Sequence, residues 1–270
     1  MSDLLKDAKL LIAGLNLKDL DISGQNFLID EDILKKEIDS ADLNFDDTVL
    51  NIGSGFGYEI NLISKVCKVI GVEKDVKIFS YLINKYELSD KVQLINEDFL
   101  MFIPPEFTKV ISNPPYNVID RILNKLLKYN FKSGVMILPK TISDSLCSLP
   151  SSKRTKFSVI QRVFFDFQPI TDVQKTAFYP QPRVTSKMVK FTRKPKDFLQ
   201  ETIRKEEMTV KNSILRTYQD FKGKTKKDSK EILKSMGGDI SDIENKEIKK
   251  LTLYELDTMV SFINRNTESF

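Results

Sequence analysis

Asn113-Pro114-Pro115-Tyr116 sets a carboxamide, a proline-stiffened carbonyl and an aromatic ring in a row, directly after the apolar run Lys109-Val110-Ile111-Ser112. A carboxamide oxygen and a backbone carbonyl can accept the two hydrogens of an exocyclic amine, while the ring stacks on the flat base that carries it. Two prolines after an apolar strand also make an ordinary turn, so the reading depends on what surrounds the motif. Upstream lies Asn51-Ile52-Gly53-Ser54-Gly55-Phe56-Gly57, whose alternate glycines let the backbone turn tightly and pass close to a ligand. The dinucleotide fingerprint puts its third glycine three positions after the second. Here it comes two positions after, which suits a pyrophosphate cradle less well. Glu73 ends the next apolar run, where a carboxylate can accept both hydroxyls of a ribose. Asp98 ends the run after that, where it can accept from an adenine amine. Together they describe an adenosyl pocket that makes no demand for phosphates.

The elements that must position these residues can be read from periodicity. Strand-length apolar runs at Thr48–Ile52, Lys68–Val72, Val92–Asn96, Lys109–Ile111 and Gly134–Leu138 alternate with helical patterns at Tyr58–Val66, Val76–Tyr86 and Val118–Leu127. A short helix is expected over Asp30–Ser40. Such alternation predicts a doubly wound, mainly parallel sheet, with its ligand beyond the carboxyl ends of the strands. Every polar residue named above falls on that rim. Past Lys140, Phe157–Phe165 reads as helix, Phe178-Tyr179-Pro180-Gln181-Pro182 as a loop and Val184–Phe191 as a late strand. A boundary near Pro195 divides residues 1–194 from a charged, helical segment at 195–270.

Composition removes whole classes of chemistry. The chain has no histidine, which excludes hydrolase triads built on a histidine base and most zinc sites. Any catalysis must use carboxamides, carboxylates, lysines, aromatics or backbone groups, with no metal. Cys67 and Cys147 lack partners at metal-ligand spacing and read as reduced, buried thiols. With 270 residues and 41% hydrophobic content, one large core and a smaller appendage are affordable. No secretory signal or long apolar span is evident, so a soluble, cytoplasmic protein is expected. Lys187–Lys230 holds 14 Lys/Arg against 6 Asp/Glu, whereas Glu231–Phe270 holds 5 against 8. The basic block is either a polyanion-facing surface or a solvated helical face.

Further blocks accompany these adenosyl-pocket residues along the chain. Gly24-Gln25-Asn26-Phe27-Leu28-Ile29-Asp30, the glycine loop, Asn113–Tyr116, Phe178-x-Pro180-x-Pro182-Arg183-Val184-x-Ser186 and Lys211-Asn212-Ser213-Ile214-Leu215 occur as in the ribosomal RNA adenine N6,N6-dimethyltransferases. The chain resembles that family from about Gly24 to Arg265. The resemblance implies a Rossmann-like S-adenosylmethionine-dependent methyltransferase domain with a small C-terminal helical, RNA-binding domain. It implies dimethylation of adenines in small-subunit ribosomal RNA, a role in ribosome biogenesis through the immature small subunit, and a monomer. Gln25, Asn26 and Leu28 match positions around the cofactor's methionine end, Gly53 and Gly55 the loop beneath it, Glu73 the ribose acceptor and Asp98 the adenine contact. Asn113 matches the residue meeting both methyl donor and target amine, Pro114 supplies the carbonyl, and Tyr116 and Phe178 match aromatics that hold the target adenine. RNA contacts are also expected at Lys153, Arg154 and Lys156.

Several positions depart from the family pattern. Asn51 stands where an acidic residue commonly precedes the glycine loop, which alters a cofactor contact or a charge behind it. Pro114 replaces a usual leucine or isoleucine, as in DNA amino-methylases. Pro139-Lys140-Thr141 stands for a common Gln-Lys-Glu, and Asp19 and Asp21 for frequent lysines. A methylase of large-subunit RNA or DNA, and a nucleic-acid-binding assembly or transcription factor with a vestigial site, are the competing readings.

Overall fold

A computed structural model describes residues 3–18, 24–147, 153–223 and 225–266. In chain order these form α1 (Asp3–Gly14), β1 (Phe27–Leu28), α2 (Glu31–Ser40), β2 (Thr48–Ile52), α3 (Tyr58–Ile63), β3 (Lys68–Val72), α4 (Val76–Tyr86), β4 (Val92–Ile95) and β5 (Lys109–Ser112). They continue as α5 (Ile119–Leu126), β6 (Ser133–Pro139), α6 (Lys140–Leu146), α7 (Lys156–Phe164), β7 (Phe165–Val173), β8 (Phe178–Tyr179) and β9 (Ser186–Arg193). The last helices are α8 (Phe198–Ile203), α9 (Val210–Lys222), α10 (Lys226–Ser235) and α11 (Leu253–Arg265). Two compact units result. One comprises residues 1–153 and 165–193, the other 154–164 and 194–270, so α7 belongs with the C-terminal helices although β7 follows it in sequence.

The first unit is built on a seven-stranded sheet of order β4-β3-β2-β5-β6-β9-β7. The pairings from β4 to β6 are parallel, and β9 joins β6 and β7 antiparallel. Central strands covered on both faces must be apolar throughout. Accordingly Val49, Leu50, Val110, Ile111, Met136 and Ile137 are all buried. The order runs outward from β2 to β4 on one side and from β5 to β6 on the other. This makes the β2/β5 junction the switch point, where a crevice opens beyond the carboxyl ends. Strand β7 lies in a stretch for which the sequence reading gives no element, and Pro169 interrupts its alternation. As an edge strand it tolerates that proline, with an irregularity between Pro169 and Thr171. Helix α1 likewise falls where the sequence reading gives no element. In the structure Ala8 is buried, and Leu4, Leu5 and Leu11 pack towards Phe27 and Phe56.

The helices of the second unit start at side-chain caps that the sequence spells out. Asp197 caps α8 and Thr209 caps α9, while Thr225 with Asp228 and Thr252 with Glu255 form capping boxes for α10 and α11. Arg204 lies 4.9 Å from the Phe164 ring centroid, and Lys194 N donates to Phe164 O, which ties α7 to this unit.

A buried ion pair fixes the opposite end of the sheet from the crevice. Lys109 at the start of β5 meets Asp47 at 3.0 Å, and both side chains are buried. Burial opposes ionisation of Asp47, but the Asn44 amide, Lys109 and Thr108 outweigh it and bring the carboxyl down to about 2. Its stabilising effect is complete above the ordinary value of 3.8 and is lost as pH falls towards about 2. Lys109→Met leaves that buried carboxylate with only the exposed Lys132, 3.8 Å away, as a cation, and is expected to cost about 3 kcal/mol of unfolding free energy. Urea titration at neutral pH measures it.

Candidate active site

A cavity of ≈ 1050 Å³ opens at the β2/β5 switch point. Its wall includes Gln25, Asn26 and Leu28 around β1, Gly53 and Gly55 after β2, Glu73 after β3, Asp98 after β4, and Asn113, Pro114 and Tyr116 after β5. Side chains from segments almost ninety residues apart in sequence thus share one concavity. The glycine loop is held from several directions. Gly53 N and Ser54 N both reach Val72 O, and Gly55 N donates to Glu73 Oε2 at 2.9 Å. From α4, Lys85 Nζ donates to Phe56 O at 3.0 Å and Tyr86 OH to Gly57 O at 2.8 Å. Lys85 sits within 6 Å of the rings of Tyr58, Tyr81 and Tyr86, and burial depresses its pKa. Phe27 stacks on Phe56 with centroids 3.9 Å apart, which pins β1 against the loop.

The two rim carboxylates differ in their surroundings. Glu73 is buried, and burial raises its pKa even though the amides of Asp75 and Gly55 each donate to one of its oxygens. Each oxygen keeps a second lone pair for a hydroxyl donor. Asp98 pairs with Lys74 at 2.9 Å and accepts from Leu100 N. Burial works against its charge, but Lys74 and that amide hold it below the ordinary carboxylate range.

At the acceptor end, Asn113 Nδ2 donates to Asn26 O at 3.2 Å. Only the amide nitrogen can pair with a carbonyl, so Oδ1 is left as an acceptor. Tyr116 lines the cavity while its hydroxyl pairs with Ser186 Oγ at the start of β9. Phe178 departs from its expected place. It is only 1% exposed and outside the cavity wall, because β8 pairs with β1 and sets Phe178 opposite Leu28. The Phe178–Pro182 block therefore braces the Gln25–Leu28 block from behind.

Three groups lie beneath the loop: Asn51, which departs from the family pattern, and Glu59 and Glu37, which sequence reading did not single out. Asn51 Nδ2 donates to both Glu59 Oε2 and Ile111 O, joining β2 to α3 and to β5 two residues before Asn113. Glu59 lines the cavity, and Glu37 from α2 hydrogen-bonds it in turn. Burial drives both carboxyls up. Glu59 rises to about 7, held down by donation from Asn51 and Glu37, and Glu37 rises well above its ordinary range. The pair therefore shares a proton near neutrality. The acidic group absent at position 51 is thus present a few ångströms of chain away at Glu59, and no local pattern announces that substitution. Asn16, Leu17 and Lys18, following α1, also line the cavity.

The expected RNA-contacting cations are occupied within the protein. Lys153 pairs with Asp144 at 2.8 Å, Arg154 with Asp257 at 2.5 Å, and Lys156 donates to Lys249 O. Asp19 and Asp21 lie outside the described residues. Among the described residues no helix is long and apolar enough to cross a membrane, and no acidic or thiol cluster could hold a metal.

Comparison with known proteins gives a consistent result. The profile of the family described as ribosomal RNA adenine dimethylase matches residues 21–265. The chain is 34% identical over 225 residues to a probable ribosomal RNA small subunit methyltransferase A of Thermococcus sibiricus, covering 83% of this chain and 81% of that one. It is 31% identical over 264 residues to the protein of the same description in Methanosarcina mazei, covering 92% and 95%. Among solved structures it resembles a dimethyladenosine transferase of Plasmodium falciparum (TM-score 0.60, 20% identity, 87% and 96% covered). It also resembles the 23S rRNA methyltransferase ErmE (TM-score 0.61, 18% identity, 89% and 99% covered). At these identities the two structures establish a shared Rossmann-like methyltransferase fold.

The loop geometry gives a direct test. Gly57 has φ +75°, and a Cβ there would lie 2.8 Å from Leu82 and 3.1 Å from Tyr86. Gly223, at φ +61°, would meet nothing within 4 Å. Gly57→Ala should cost about 2 kcal/mol or more, from backbone strain plus collision, and Gly223→Ala about 1 kcal/mol from strain alone. Urea unfolding of both variants separates the two contributions.

Proposed function

The chain belongs to the ribosomal RNA adenine dimethylase family, and from that premise we propose that it transfers methyl groups from S-adenosylmethionine to the N6 amines of adenines in small-subunit ribosomal RNA. The observation that carries this reading is the meeting of the Gln25–Leu28, Gly53–Gly57 and Asn113–Tyr116 blocks around one cavity, with Asn113 tied to Asn26 so that its oxygen remains an acceptor.

The residues present fit that cofactor. Glu73 retains acceptor capacity for a ribose diol, Asp98 stands one strand further out for the adenine amine, and Gly53 and Gly55 allow close backbone approach. Gln25, Asn26 and Leu28 are assigned to its methionine end, together with Asn113. When bound, S-adenosylmethionine supplies an electrophilic methyl group on a sulfonium. The protein's own task is then to prepare the acceptor. An adenine amine is a poor nucleophile because its lone pair is delocalised into the ring. Asn113 Oδ1 and Pro114 O accept its two hydrogens and draw the nitrogen towards tetrahedral geometry. Tyr116, its hydroxyl fixed by Ser186, offers its ring for stacking on a base taken out of the helix. Phe178 acts through β1 rather than by touching the base. No strong general base is required, in keeping with a chain that lacks histidine. The rate then rests on holding donor and acceptor in line.

The helical residues 195–270 are assigned to RNA binding, the immature small subunit is the partner, and the protein acts as a cytoplasmic monomer. Structured RNA is held mainly through shape and phosphate contacts, which a mixed helical surface can supply.

Labelled S-adenosylmethionine incubated with immature small subunits, naked RNA or DNA, followed by digestion to nucleosides, tests the whole reading. Dimethyladenosine from the small-subunit particle is expected. Label confined to DNA or large-subunit RNA would sink it, and particle binding with no transfer would point to a binding factor. Asn113→Ala should lower transfer by about 10³-fold or more while leaving RNA retention within about twofold. Filter binding alongside the transfer assay checks both.

A further inference from the structure

The buried carboxyl pair under the glycine loop has no purpose in the chemistry derived so far. Glu37 is fully buried, and neither of its oxygens has a partner apart from the Glu59 carboxyl. Glu59 is 6% exposed and reaches the cavity wall. Among the described residues no lysine or arginine pairs with either one. Burying carboxyls in this way is costly unless they are compensated, and uncompensated ionisable groups at a ligand cavity are candidates for function.

The other carboxylates on the cavity are already spoken for. Asp98 has Lys74 as its cation. Glu73 accepts two backbone amides, and Asp75 caps α4 by accepting from Lys77 N and Ile78 N. Glu59 has no cation and no backbone amide donor among these contacts: Asn51 donates to it on one side and the Glu37 carboxyl meets it on the other, while burial raises it to about 7. Its position along the sheet matters too. Asn51 bonds Glu59 and the carbonyl of Ile111 at once, so the carboxylate sits at the β2/β5 junction, on the Asn113 side of the cavity. Glu73 and Asp98 end β3 and β4, on the far side of β2. The charge is therefore placed at the reacting end rather than at the adenosine end.

We propose that Glu59, oriented by Asn51 and Glu37, is the electrostatic counter-charge that makes this cavity prefer a sulfonium over a neutral thioether. The inference rests on the methyltransferase reading and deepens it. Glu59 acts as a positioning and charge-balancing residue, with Glu37 retaining the proton that keeps a single negative charge on the pair. A selective counter-charge favours the loaded donor and hastens loss of the spent one, whose sulfur is neutral after transfer.

Two ligands that differ in that charge supply the test. Dissociation constants for S-adenosylmethionine and S-adenosylhomocysteine are measured by calorimetry with the full chain at about pH 8, above the Glu59 value of about 7. Glu59→Gln is expected to weaken S-adenosylmethionine by roughly tenfold and S-adenosylhomocysteine by less than about threefold. Glu59→Asp should restore much of the preference. Glu37→Gln, whose amide can still donate to Glu59, should keep it, and this variant serves if Glu59→Gln does not fold. Equal weakening of both ligands by Glu59→Gln, or loss of the preference in Glu37→Gln, would overturn the inference and leave the methyltransferase reading standing. A wild-type chain that bound neither ligand would sink both together.

Discussion

A polar side chain in the middle of a fully buried strand depends on partners inside the protein. Asn51, whose amide nitrogen has two partners and whose Oδ1 has none among the described residues, is the point where this constraint organises the structure. Its amide nitrogen spans two elements, accepting neither water nor disorder as an alternative, and locks β2 to β5 and to α3. Those elements carry Gly53, Asn113 and Glu59. The buried carboxamide thus adds to the β2–β5 ladder in fixing the relative placement of donor loop and acceptor motif. The same bond partly offsets the burial that pushes the Glu59 carboxyl up, so structural and electrostatic consequences arise from one side chain. An apolar residue at this position would pack, but it would release both.

Catalysis by such a site is a matter of geometry rather than of proton transfer. With no histidine in the chain, the groups at the acceptor end are a carboxamide oxygen, a carbonyl and a tyrosine whose hydroxyl is engaged by Ser186. None needs to change protonation state during methyl transfer. Rigid support is then the main requirement, and the loop receives it: Lys85 and Tyr86 take its carbonyls, Glu73 its amide, and Phe27 covers Phe56. These supports come from α4, from the residue after β3 and from β1, so the loop cannot shift without breaking several contacts together.

Much of this was legible in sequence because it is local. Strand ends, the glycine spacing and the Asn113–Tyr116 block depend on neighbours within a few residues, and helix caps such as Thr252 with Glu255 follow a short pattern. What escaped was tertiary. Strand β7 carries Pro169, which local rules demote, and only its edge position makes it tolerable. Phe178 belongs to a block that the sequence reading placed at the site. Yet the β1–β8 pairing decides which face its ring takes, and pairing is not encoded in the block itself. Glu59 could not be found by pattern because its partners, Glu37 and Asn51, lie 22 and 8 residues away on different elements. Helix α1 was missed because its leucines are spread among lysines and aspartates, a face that only the packed protein reveals.

The positive charge needs a similar correction of perspective. Counting Lys and Arg along Lys187–Lys230 suggested a polyanion-facing block, but many of these cations neutralise the protein itself. Lys187 meets Asp144, Lys190 meets Asp42, and Lys211 meets Glu244. A cation already paired has less to offer a phosphate, since binding must first break or share the existing bond. Helix α10 is different. Lys226, Lys230 and Lys234 recur every four residues, so they share one face, and all three are exposed. Charges that are aligned, solvated and mobile release counterions on meeting a phosphate backbone without a compensating loss elsewhere. Net charge over a segment is therefore a poor guide to where RNA would lie, and periodicity of the unpaired cations is a better one.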